Sequence, residues 1–139
     1  MTVFSAVVDL STLDGTNGFV INGIDAGDYS GRAVSSAGDI NGDGFDDIII
    51  GARDANGGIG EAYVVFGSAN GFAASLDLSS LDGVNGFQLN GVDAGGLSGH
   101  SVSSAGDING DGFDDIIIGA YKAFDFPVTA EGESYVVFG

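Results

Sequence analysis

The chain of 139 residues has no cysteine and no tryptophan, one proline (Pro127), one histidine (His100) and three basic residues, Arg32, Arg53 and Lys122. Without cysteine there is no disulfide, no thiolate zinc site and no cysteine nucleophile. His100 has no second histidine or cysteine to work with, so triad chemistry is not supported and it reads as a loop residue. The formal net charge of −17 argues against nucleic acid and anionic membrane as partners. No apolar run is long enough to span a bilayer, so no membrane insertion is expected. Residues 1–10 lack the basic head and long apolar run of a signal peptide. The expectation is a soluble chain that is either a fragment or exported by another route. Aromatics are few, ten Phe and four Tyr, which weakens the case for a sugar-stacking site.

Glycine, by contrast, is abundant at 26, and apolar residues make up 44%. That apolar content excludes disorder from low hydrophobicity, and no glycine recurs at every third position as collagen requires. Gly, Asn, Asp and Ser punctuate short apolar runs, the pattern of many strands joined by tight turns. The chain is also an internal duplication. Residues 9–52 align with 77–120 at a shift of 68, with 35 of 44 positions identical and 34–52 matching 102–120 without change. The second copy is then four residues longer, and the two realign at Tyr63-Val-Val-Phe-Gly67 and Tyr135-Val-Val-Phe-Gly139. This divides the chain into units 1–68 and 69–139.

Each unit reads as four strands: 18–22, 33–40, 47–52 and 61–66, with counterparts 86–90, 101–108, 115–120 and 134–138. No helix is expected, because β-branched residues dominate and glycine interrupts every window. The third and fourth strands are continuously apolar, which implies burial of both faces. A lone four-stranded sheet cannot do this, whereas sheets stacked face to face can. The fold class is all-β, with two four-stranded antiparallel blades of a β-propeller per chain.

The most informative stretch is Asp39-Ile-Asn41-Gly-Asp43-Gly-Phe45-Asp-Asp47. Oxygen side chains fall at loop positions 1, 3, 5 and 9, where they can converge on one ion, and Phe45 at position 7 can offer its carbonyl. Several hard oxygen donors of flexible geometry suit Ca²⁺ better than Mg²⁺ and leave nothing for zinc or copper. The same donors recur at Asp107, Asn109, Asp111, Phe113 and Asp115, so two Ca²⁺ per chain are expected. An EF-hand needs a bidentate Glu at position 12 and flanking helices; here that position is Ile50 or Ile118 and the flanks are strands. A dockerin-type loop fails for the same lack of an acid. The bland alternative, a pair of acidic hairpin turns, is disfavoured by the identical repetition. Asp46 and Asp114, at position 8, are expected to point away into solvent.

Across nearly its whole length the chain resembles the FG-GAP repeats of integrin α-chain propellers, and looks closest to bacterial proteins that carry many such repeats. Phe66-Gly67 and Phe138-Gly139 match the first half of the motif. Gly51-Ala52 and Gly119-Ala120 match the second, with Arg53 and Tyr121 where the motif has proline. The resemblance implies one blade per repeat, with calcium in the loop between the first two strands of the blade. It also implies that the strand at 18–22 is the outermost strand of a preceding blade, and that a protein or glycan ligand binds the face opposite the loops.

The repeats diverge mainly at 24–33 against 92–101 and at 53–60 against 121–133, the latter carrying Lys122, Phe124, Phe126 and Pro127. Both regions belong at the end opposite the loops, where variable segments on a rigid scaffold suit recognition. The leading functional reading is a non-enzymatic, calcium-binding propeller module for extracellular adhesion or recognition, secreted or at the cell surface of a bacterium. The alternatives are a structural spacer of a larger secreted protein and the scaffold of a propeller hydrolase or lyase. Two blades cannot close a ring that needs roughly four to eight. The chain is therefore expected to partner itself, head to tail, with a trimer favoured over a tetramer because the small residues of 33–38 suit a narrow axis.

Overall fold

The computed structural model describes residues 5–122, 124–125 and 129–139. Its strands are β1 (Val20–Asn22), β2 (Ala33–Gly38), β3 (Asp47–Ala52), β4 (Glu61–Val65), β5 (Ser75–Asp77), β6 (Gly86–Asn90), β7 (Ser101–Gly106), β8 (Asp115–Ala120), β9 (Phe124–Asp125), β10 (Thr129–Ala130) and β11 (Glu133–Val137). The architecture is all-β, in antiparallel sheets of the propeller-blade type.

The first blade has the order β2-β3-β4-β6, antiparallel throughout. Its outermost strand, β6, comes from the second repeat, in the order that the family resemblance implies. The second blade, β7-β8-β11, repeats the inner three strands. No fourth strand pairs with β11 among the described residues. The two β2-type strands carry the same irregularity, a bulge between Ser36 and Gly38 and another between Ser104 and Gly106.

The unbroken apolar runs do bury both faces in the first blade. Strand alternation sends Ile49 to one side and Ile48 and Ile50 to the other. On the first side Ile49, Ala62 and Val64 pack with Ile116 and Ile118 of the second blade, joined by Phe66, Phe87, Leu89, Val102 and Val137. This is the seam between the blades. On the other side Ile50, Tyr63 and Val65 pack with Leu78, joined by Ile21, Leu76 and Leu81. That far face is covered by β1 and β5, which pair in parallel, Val20 opposite Ser75 and Asn22 opposite Asp77. The sequence pattern did not show this pairing, because a three-residue strand carries too few positions for a period.

Strand boundaries shift by one or two residues. β2 stops at Gly38 because the chain there takes φ +70°, leaving Ile40 in the loop. The expectation of no helix needs correction: single 3₁₀ turns occur at Leu10–Thr12 and Leu78–Ser80, and one helical turn, α1, at Ala55–Gly58. Asp9 nucleates the first by accepting from the N–H of Ser11 at 3.0 Å. α1 holds Asn56 and Gly57 in the left-handed region, so it is a tight connector rather than a helix with a face.

Candidate metal-binding loops

The β2–β3 hairpin places residues 39–46 at one end of the first blade, and the β7–β8 hairpin places 107–114 at the same end of the second. Each loop is closed by its own carboxylates. Asp39 accepts from the N–H groups of Asp43 (3.0 Å) and Gly44 (2.9 Å), and Asp43 accepts from Phe45 (2.9 Å). Asn41 accepts from the Asp43 N–H at 2.9 Å and donates its amide to the Asp43 carboxylate at 3.0 Å. The second loop repeats this with Asp107, Asn109, Asp111 and Phe113. Gly42 and Gly44 take φ of +73° and +91°, which a side chain would resist.

Position 9 behaves differently from the rest. Asp47 and Asp115 are 1% and 0% exposed. Asp47 accepts from the N–H of Ile40 at 3.0 Å and of Gly67 at 2.7 Å. Asp115 accepts in the same way from Ile108 at 2.8 Å and Gly139 at 3.2 Å. The glycine that follows the last inner strand is thus part of the loop's support, a role that spacing alone did not reveal. A Cβ on Gly67 would run into Phe45 and the carbonyl of Asp46. Burial raises the Asp47 carboxyl above its ordinary range; the two N–H donors oppose this, and the charges of Asp43 and Asp39 add to it.

The donor set fits a hard divalent cation in kind. Each loop carries four Asp, one Asn and a backbone carbonyl at position 7, with no sulfur or imidazole. No basic residue lies in either loop: Arg32, Arg53 and Lys122 all sit in connectors at the opposite end. The loop end therefore presents an uncompensated negative field that concentrates cations. Among the described residues, however, no three acidic or histidine side chains already stand together as a metal-holding group. The carboxylates of Asp39, Asp43, Asp107 and Asp111 are turned onto N–H groups of their own loops, and Asp107 Oδ1 accepts from both Gly110 and Asp111.

One expectation about the loops is overturned. Asp46 is exposed, but Asp114 is half-buried and reaches across the seam. Its carboxylate accepts from the Asp39 N–H at 2.9 Å, and its own N–H donates to the Asp39 carbonyl at 3.2 Å. The two residues have the same sequence surroundings. They differ because only Asp114 has a blade in front of it.

The opposite end holds the divergent segments. Much of 92–101 is taken up by the seam: the N–H groups of Leu97 and Ser98 donate to the carbonyls of Gly58 and Ile59, at 3.1 Å each. Its counterpart at 24–33 is largely exposed. Tyr29 and Leu97, equivalent in the two copies, both take positive φ, 53° and 57°. Glu61 is buried and receives hydrogen bonds from Tyr63 and Asn56. His100 packs on the Tyr121 ring, 4.4 Å between centroids, with Lys122 over the same ring. The side chains of Phe124, Phe126 and Pro127 lie outside the described residues.

Comparison with known proteins agrees with the repeat geometry. Residues 30–65 and 98–137, together more than half of the chain, match the FG-GAP repeat family. Integrin alpha pat-2 of Caenorhabditis elegans is 33% identical over 126 residues, covering 87% of this chain and 10% of the relative. Integrin alpha-PS3 of Drosophila melanogaster is 37% identical over 97 residues (67% and 8%). Integrin alpha-6 of Gallus gallus is 34% identical over 104 residues (73% and 8%). The chain spans about a tenth of the length of these curated relatives.

Proposed function

The chain belongs to the FG-GAP repeat family, and we propose that it is a calcium-binding, integrin-like propeller module for extracellular adhesion or recognition, with no catalytic role. The observation that carries this reading is the pair of identical oxygen-donor loops, each anchored by a buried carboxylate and facing no positive charge. Asp39, Asn41, Asp43, Asp47 and the Phe45 carbonyl would hold one Ca²⁺. Asp107, Asn109, Asp111, Asp115 and the Phe113 carbonyl would hold the other. Bound calcium would supply the charge that the loop carboxylates lack, fixing the hairpin ends in one geometry.

Sites of this kind in extracellular modules bind with a Kd of roughly 10⁻⁴–10⁻³ M. They fill outside cells, which suits a secreted or surface location. Titration calorimetry with calcium at millimolar concentration should report two sites per chain, and one after either Asp43→Ala or Asp111→Ala. Magnesium should compete poorly, because it holds its waters and demands octahedral geometry. No calcium binding in that range, or equal thermal protection by both ions, would sink the assignment.

A structural spacer is the second reading, and the burial of 92–101 in the seam favours it. That contact withdraws one of the divergent loops from any ligand. The connector at 24–33, largely exposed, is left as the surface on which a protein or glycan would bind. A glycan and protein array separates the two readings.

A further inference from the structure

We propose that the two ends of this chain are complementary halves of a second seam, so that one copy docks head to tail on the next. The template is the seam inside the molecule. There Ile40, Ile49 and Val64 of the first blade are at most 4% exposed. Their counterparts in the second blade, Ile108, Ile117 and Val136, are 57%, 37% and 41% exposed. Sequence does not explain the contrast, since 34–52 and 102–120 are identical, as are 63–67 and 135–139; the second blade differs in having no blade against that face among the described residues.

The other end carries the receiving surface. Within the seam Val102 packs among Ile116, Ile118 and the first blade; its counterpart Val34 is exposed. Val34, Ile48 and Ile50 form, with Phe19 and Ile21, one side of an apolar groove behind the first blade. The residues that would fill it from another copy are Ile117 and Val136.

The loop ends match as well. Inside the chain Asp114 caps the Asp39 N–H, and its carboxylate occupies the space beside Gly38, while the Phe113 ring lies against Gly42. Beside the equivalent Gly106 and Gly110 there is open space. Asp46 and Phe45, the equivalents of Asp114 and Phe113, stand exposed at the far end. Each end therefore holds the half that the other lacks: Asp46 for the Asp107 N–H, and Phe45 for Gly110. At the opposite end of the blades the new seam must differ, because 121–133 replaces 53–60.

The strand edges fit the same register. Successive residues of a strand turn their N–H and C=O groups to opposite edges. Val20 donates to Ala74 of the β5 segment, so Phe19 and Ile21 face the edge that β5 leaves open. In the first blade Phe66 donates to Asn85, so by the same alternation Phe87 and Leu89 face β4. Those two are the counterparts of Phe19 and Ile21. The open edge of β1 is thus the one that receives a β4-type strand, and β11 is such a strand: it pairs with β8 on one edge, and no strand pairs with its other edge among the described residues. The internal pairs Val64–Phe87 and Glu61–Asn90 translate into Val136 opposite Phe19, and Glu133 opposite Asn22, between copies.

The chain has no cysteine, so cross-linking tests that register directly. Asn22→Cys and Glu133→Cys, both exposed positions, are made singly and their proteins mixed under mild oxidation. A cross-strand pair of this kind brings Cα atoms to about 4.5–5.5 Å, within disulfide reach. The expected product is the mixed 22–133 dimer in excess over both like-with-like dimers. Sedimentation of the wild-type chain should show growth with concentration, closing at three or four chains. Val136→Lys would bury an unpaired charge in the seam and should weaken association at least roughly tenfold, with cooperative melting retained at low concentration. A chain that stays monomeric at its highest soluble concentration overturns the proposal. So does a 22–133 yield no greater than that of the like-with-like dimers.

Discussion

Replacing Asp114 by alanine, and separately Asp46, makes the seam measurable. The two aspartates sit in identical nine-residue loops, and each removal relieves the same crowding of loop carboxylates. They differ in one side-chain hydrogen bond, the 2.9 Å bond from the Asp39 N–H to Asp114, made where the Asp114 carboxylate also packs beside Gly38. A hydrogen bond to a charged acceptor contributes about 1.5–3 kcal/mol, and removing the acceptor strands a partly buried N–H. Asp114 is only half-buried, so a value near the middle, about 2 kcal/mol, is expected for Asp114→Ala. Asp46→Ala should stay within about 0.5 kcal/mol, as surface changes do. Urea unfolding followed by circular dichroism, with protein dilute enough to prevent association, reads the difference as a midpoint shift. With a slope of about 2 kcal/mol per molar for a domain of this size, the separation is about 1 M. Equal shifts for the two variants would refute the claim that Asp114 staples the blades. A larger loss for Asp46→Ala would reverse it.

The repeat offers two further paired comparisons. Ile49→Ala should cost about 2–5 kcal/mol, since Ile49 is fully enclosed, while Ile117→Ala should fall well below that range; equal costs in thermal melts would contradict the packing described. Gly38→Ala and Gly106→Ala both place a side chain at positive φ, +70° and +67°, at a cost of about 1–3 kcal/mol. Only at Gly38 does the new methyl also meet Asp114, so it should be the more damaging of the two by denaturant midpoint.

Much of this was legible in the sequence because the duplication and the unbroken Ile-Ile-Ile and Tyr-Val-Val runs report burial on both faces. The Asp-x-Asn-x-Asp-Gly spacing located the β2–β3 and β7–β8 loops for an equally physical reason, since its glycines accept the positive φ of a tight turn. What could not be read was anything that depends on a neighbour. Asp46 and Asp114 are indistinguishable as letters, yet one is solvated and the other holds two blades together. Gly67 and Gly139 stood in the sequence only as letters of the repeat motif, but their N–H groups anchor Asp47 and Asp115. The parallel pairing of β1 with β5 rests on three residues in each strand, too few to leave a pattern.

The strand that completes the first blade, β6, lies beyond the end of the first repeat, so the genetic unit and the folding unit are out of phase. During synthesis the edge of β4 has no partner until residue 90 has left the ribosome. For that interval a nascent chain exposes an apolar strand with one open edge, of the kind that templates misassociation. Duplication of a repeat lengthens such a protein without ever creating a blade that can finish itself. Cutting the chain after residue 68 would orphan the first blade, while a cut between β6 and β7 would leave it whole.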